Sequence, residues 1–148
     1  MGEVEDTIGR VVGREHRRLD ALFAEVLDAL GERQERGLLR SSFARLREAI
    51  ETHLAQEDQL YYPALRALQP THRTTLRGFA EAHDGFRFQL AALEAALADG
   101  ELAEVERRLG VVAADFARHE SGEETLLNQI DAEVLAARSR VETVGPCS

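Results

Sequence analysis

Two pairs of residues share one spacing, His53-x-x-x-Glu57 and His119-x-x-x-Glu123. Residues four apart stand one above the other on a helix, so both side chains of each pair can reach a single point. Two more histidines, His16 and His83, fall at equivalent places in two other helical patterns. Imidazole nitrogens with carboxylate oxygens suit Fe, Mn or Zn better than Ca or Mg, which take all-oxygen shells. A structural zinc closes with four ligands, so six inward-facing groups call for two ions. Metals about 3.5–4 Å apart need bridging groups, and a carboxylate with two oxygens is the natural bridge. The expected assignment gives His16 and His53 to one ion, His83 and His119 to the other, and Glu57 and Glu123 to both. Positions remain open for a small exogenous ligand.

Four amphipathic stretches must position these residues, with no useful run of strand-like alternation. The first, about residues 4–30, carries Ile8, Val12, Leu19, Phe23, Val26 and Leu30, and a polar turn follows between Gly31 and Gly37. The second, about residues 41–68, carries Phe43, Leu46, Ile50, Leu60, Ala64 and Leu68, with a kink expected at Pro63. Pro70-Thr71 ends it and offers Thr71 as the next N-cap. The third, about residues 71–98, carries Leu76, Phe79, Phe86, Leu90, Leu93 and Leu97 and ends at Asp99-Gly100. The fourth, about residues 101–130, carries Leu102, Val105, Leu109, Val112, Phe116, Leu126 and Ile130. The segment 132–141 offers a short helical extension. The expected fold is all-α, an up-down-up-down four-helix bundle over residues 1–142 with that C-terminal extension, and residues 143–148 are expected as a flexible tail.

Each stripe has gaps, and the polar residues fill them. His83 takes the vacant place between Phe79 and Phe86, His119 and Glu123 the places after Phe116, His53 and Glu57 those after Ile50. His16 lies between Val12 and Leu19. Counted from turns near Gln34, Pro70 and Gly100, the six groups sit at matching heights, with mismatches of a few Å at ~1.5 Å per residue. One layer of the bundle is expected to hold all six.

The chain has 148 residues, enough for one domain with a sizeable core. Its net charge of -9 argues against nucleic acid, which needs a basic face. All 18 basic residues are Arg, from which no function follows. No secretory apolar region and no long apolar run appears, so no membrane partner and a cytoplasmic location are expected. Asp6 stands where a myristoylation signal after Gly2 wants Ser or Thr. Cys147 is the only cysteine, which leaves neither a disulfide framework nor a thiolate metal site.

The order His, His-x-x-x-Glu, His, His-x-x-x-Glu over residues 10–130 resembles the hemerythrin-like (HHE cation-binding) family. The resemblance implies a centre of two non-haem iron ions, carried by His16, His53, Glu57, His83, His119 and Glu123. In that family two carboxylates and an oxo or hydroxo group bridge the ions. It further implies dioxygen, peroxide or another small ligand such as NO as the partner. Ferritin-like bundles instead use Glu-x-x-His, and no Glu stands three before any histidine here. Two departures from the oxygen-carrying members bear on activity. Phe79 and Arg87 flank His83 where the carriers have a fifth histidine, and the last pair is His-x-x-x-Glu rather than His-x-x-x-x-Asp.

Both departures turn the expectation from reversible carriage toward reaction with the oxidant. Tyr61, four beyond Glu57, is the candidate phenol on the metal face, as ligand or hydrogen-bond donor, whereas a regular helix points Tyr62 the other way. A di-iron catalase or peroxidase-like enzyme is therefore one alternative, and an iron- or redox-sensing module acting through a protein partner is another. Asp20, four beyond His16, is a further candidate for the site, while His72 reads as solvated. Gly78, Gly85, Gly110 and Gly122 read as close helix approaches or, beside Glu123, as room for a ligand.

Overall fold

The apolar stripes fold as helices packed on one another. The computed structural model describes residues 7–143 and contains α1 (Ile8–Gly31), α2 (Arg36–Gln56), α3 (Tyr62–Leu68), α4 (Arg73–Asp99) and α5 (Leu102–Thr143). A wide turn, Glu57–Tyr61, joins α2 to α3, and a tight one, Pro70–His72, joins α3 to α4. No strand occurs among the described residues. Both α1 and α4 pack against α2 and α5, so the long helices close a ring around a shared interior. The fold is a helical bundle.

That interior has two apolar parts. The larger runs from Leu19 and Phe23 through Phe43, Leu46 and Ile50 to Leu90, Leu97, Leu109 and Phe116. The smaller holds Val12, Tyr62, Leu65, Leu76, Leu126, Leu127 and Ile130. On α1, α4 and α5 the histidines and Glu123 fall between the two parts, and His53 and Glu57 lie where α2 gives way to α3. Burying each large apolar side chain stabilises the bundle by roughly 1.5–3 kcal/mol, and that clamp from both ends holds the polar layer in place.

Local signals set the ends. Thr7 caps α1, its hydroxyl accepting the Arg10 N–H at 3.2 Å. Arg33, rather than a glycine, adopts the left-handed conformation after α1, with φ 56°. Arg36 donates to the carbonyls of Leu97 (3.2 Å) and Gly100 (2.8 Å), satisfying acceptors that the end of α4 leaves free. At Gly100 a Cβ would lie 2.5 Å from the Ala96 carbonyl oxygen, so only glycine fits without a shift.

Four expectations need correction. Beyond Glu57 the second stripe is off by one residue: Leu60 and Leu68 are exposed, while Tyr62 and Leu65 are buried. The cause is the Glu57–Tyr61 turn, where the Tyr62 N–H bonds the Glu57 carbonyl, five residues back. Pro63 has no N–H and its ring clashes with the carbonyl four residues before it, and a widened turn that takes in one extra residue relieves both. Thr71 makes no side-chain cap, because Pro70–His72 forms a separate tight turn before α4. The expected extension over residues 132–141 is helical but is no separate piece, since α5 continues unbroken to Thr143. Gly78, Gly85 and Gly110 face open space, and at Gly122 a Cβ would make ordinary contact with Phe79, so none marks a close approach. Val4 and residues 144–148 lie outside the described residues.

No described helix is long and apolar enough to cross a membrane. Leu109 is fully buried in the larger apolar part, far from the polar layer. Leu109→Ala is expected to lower unfolding stability by about 2–5 kcal/mol in urea titration, with metal content unchanged.

Candidate metal centre

All six expected residues meet in the polar layer. His16 comes from α1, His53 from the last turn of α2, Glu57 from the wide turn, His83 from α4, and His119 and Glu123 from α5. Glu57 and Glu123 are 1% and 0% exposed. His16 Nε2 lies 3.0 Å from Glu123 Oε1, and His53 Nε2 lies 3.2 Å from Glu57 Oε1. His83 Nε2 is 3.5 Å from Glu57 Oε1, and His119 Nε2 is 3.4 Å from Glu123 Oε2. The donor atoms fall into two groups, His16/His53/Glu57/Glu123 and His83/His119/Glu57/Glu123, each within 4.8 Å of one another. Both groups use the same two carboxylates.

The histidines are aimed from behind. His53 Nδ1–H donates to Glu15 at 2.6 Å, His83 Nδ1–H to Asp58 at 2.8 Å, and His16 Nδ1–H to Glu124 at 3.0 Å. A proton held on Nδ1 leaves the Nε2 lone pair facing the centre, as a metal ligand requires. Arg87 in turn fixes Asp58 at 2.9 Å. His119 packs instead among the rings of Phe79, Phe86 and Phe116.

Not all the short distances inside the layer are aligned hydrogen bonds. His53 Nε2, both Glu57 oxygens and Glu123 Oε1 are buried without a hydrogen-bond partner. His83 Nε2 and His119 Nε2 face each other at 3.1 Å, and the ring held from behind by Asp58 turns its Nε2 lone pair toward that contact. Buried polar atoms left unpaired cost about 1–3 kcal/mol each. Lone pairs that converge on shared points with few donors among them are the arrangement cations satisfy. The donor set therefore fits metal.

Electrostatics agree. Burial, and then Glu123, push the Glu57 carboxyl up to about 12, whereas Glu123 is held well below the usual carboxylate range. Burial works against Glu123, but hydrogen bonding from His119, His16, Glu57 and Tyr62 outweighs it. Without metal, then, the carboxylate pair keeps one proton. Burial also lowers His53 and His83; it works the same way on His16, but Glu123 and Glu124 overcome it and raise that group.

The two tyrosines exchange the places a regular helix would give them. Tyr61 is half-buried and its hydroxyl donates to Glu15 Oε1 at 3.4 Å, on the outer side of His53. Tyr62 is buried, its hydroxyl donating to Glu123 Oε2 and lying 3.3 Å from His83 Nε2. The wide turn advances the phase by one residue and delivers Tyr62, not Tyr61, to the layer. Asp20 stays outside the layer, against Glu120. His72 pairs with Glu133 at 3.0 Å rather than standing in solvent.

Sequence reasoning missed Glu15, Asp58 and Glu124, although each adjoins a ligand. A neighbour in sequence lies about 100° round the helix, turned away from the centre toward the adjoining helix. Acids beside the ligands were thus the available signal.

A raised folded-state pKa stabilises below the ordinary value and loses that stability as pH climbs. Above pH 7, where the lowered histidines are neutral folded or unfolded, Glu57 and Glu120 together set the slope, the latter pushed up to about 10 by burial and then by Asp20. Metal-free protein is expected to lose up to ~2.7 kcal/mol of stability per pH unit between pH 7 and 9 in denaturant titrations, about 1.4 for each carboxyl. Metal-loaded protein, in which the ion replaces the Glu57 proton, is expected to lose only about half as much per pH unit; equal slopes would contradict the shared-proton account.

Comparison with curated proteins and with solved structures returns no match. The Hemerythrin HHE cation binding domain matches residues 7–130, a span that takes in all six converging residues. With that match joined to a buried, donor-poor His/Glu cluster, the chain belongs to the hemerythrin HHE cation-binding family and carries a metal-binding site.

Proposed function

We propose that this chain is an up-down-up-down bundle holding two non-haem iron ions and working on dioxygen, peroxide or a related small ligand. His16 and His53 would hold one ion, His83 and His119 the other, and Glu57 and Glu123 both. The observation that carries this reading is the pair of donor groups sharing two buried carboxylates. When bound, two such ions with a bridging oxo or hydroxo group supply one- and two-electron redox chemistry and open positions for a small oxidant.

The chain's own residues supply the rest. Glu15, Asp58 and Glu124 keep three imidazoles pointed inward, so the ligand set is formed before metal arrives. Phe79, Phe86 and Phe116 wall the His119 side and exclude water there. Tyr62 holds a proton at its hydroxyl, inside the layer and against Glu123. Burial, with Glu123 and Glu57 nearby, raises its pKa, so it stays a neutral donor. A phenol O–H at that place favours reaction with peroxide over passive carriage, since proton delivery contributes 10²–10⁴-fold in typical sites.

Anaerobic ferrous protein exposed to oxygen is expected to develop near-UV charge-transfer absorption, and colourless protein with under one iron per chain would sink the di-iron reading. Peroxide decomposition by iron-loaded protein is expected to fall about a hundredfold in Tyr62→Phe, with iron content retained. Tyr61→Phe, lying behind Glu15, is expected to change it little. No oxygen evolution from peroxide by the wild type removes the enzymatic reading and leaves the binding one.

A further inference from the structure

Among the described residues, one buried carboxylate lies outside the six converging ones. Glu120 follows His119 by one position, a step of about 100° that turns it from the centre toward α1. Its side chain is 5% exposed, and neither oxygen has a hydrogen-bond partner. The nearest N–H is His16 Nδ1, 3.5 Å from Glu120 Oε2 but 3.0 Å from Glu124 Oε1, and the hydrogen bond goes to Glu124. A single N–H is committed to one acid, so Glu120 is left spare.

Asp20 makes that position harder to sustain. It projects from α1, close enough for its carboxylate to add to burial in pushing the Glu120 carboxyl up. The arginine–carboxylate pairs of the described residues include neither of them. Arg10, Arg14 and Arg17 line the neighbouring cavity on the Glu124 side, and Asp20 itself is exposed. Two neighbouring acids, one of them buried, need a proton or a cation between them. Only one imidazole ring separates this place from the centre, because the opposite nitrogen, His16 Nε2, lies 3.0 Å from Glu123.

We propose that Asp20, Glu120 and Glu124 form a port for divalent cations, the station a metal ion occupies before it passes His16 into the centre. The port rests on the metal reading above. Asp20 meets the ion at the surface and Glu120 holds it in the wall. Glu124, 42% exposed, is free to turn toward the ion, which releases His16 Nδ1 and with it the ring.

Filling kinetics test this with Co2+ added to metal-free protein, followed by visible absorption, with final cobalt content measured after dialysis. Glu120→Gln and Asp20→Asn are each expected to slow filling about tenfold, in the range of electrostatic steering, while the final content stays that of the wild type. Equal filling rates in the wild type and both variants overturn the port: the contact then needs only a shared proton, which the amide of Glu120→Gln supplies. Asp20 is exposed, so Asp20→Asn decides the matter if Glu120→Gln does not fold. A wild type that takes up no Co2+ overturns the centre itself, whereas normal uptake with unchanged variant rates removes the port alone.

Discussion

The structure depends on one constraint: two glutamates, 1% and 0% exposed, lie at the middle of a helical bundle. An isolated buried carboxylate costs several kcal/mol or more, and two of them side by side also repel. The chain answers with four imidazoles aimed at them and with apolar clusters above and below. Those clusters supply the burial that the polar layer opposes. Protons satisfy the arrangement in part, since Glu57 is pushed up to about 12 and keeps one. Cations satisfy it fully, because each lone pair then has a partner.

A second layer of acids passes orientation from helix to helix. Glu15 on α1 fixes His53 on α2, Asp58 in the wide turn fixes His83 on α4, and Glu124 on α5 fixes His16 on α1. Each is the sequence neighbour of a ligand and serves a ligand on an adjoining helix. Three contacts thus lock helix rotation and imidazole orientation together, so a change in one helix's phase disturbs the layer as a unit. His119 stands apart, set by aromatic packing instead.

Much of this was legible in the chain because helical phase is regular. The gaps in four apolar stripes located His16, His53, Glu57, His83, His119 and Glu123, and turn counting set them at one height. That regularity failed at a single place. The wide turn before Pro63 takes in one extra residue, and from there the buried positions are Tyr62 and Leu65 rather than Tyr61 and Ala64. Proline signals a disturbance, but not whether the helix bends or widens. Glu15, Asp58 and Glu124 were hidden for a different reason: a charged residue beside a ligand looks like any solvated helix position until the neighbouring helix is placed. Glu120 shares that disguise, and only its burial sets it apart.

Anomalous diffraction at the iron edge, from crystals of protein loaded with Fe2+, tests the two-ion centre most directly. Two peaks are expected, one at bonding distance from the Nε2 atoms of His16 and His53 and one from those of His83 and His119, with Glu57 and Glu123 reaching both. A single peak, or peaks that leave either carboxylate unbound, would contradict it.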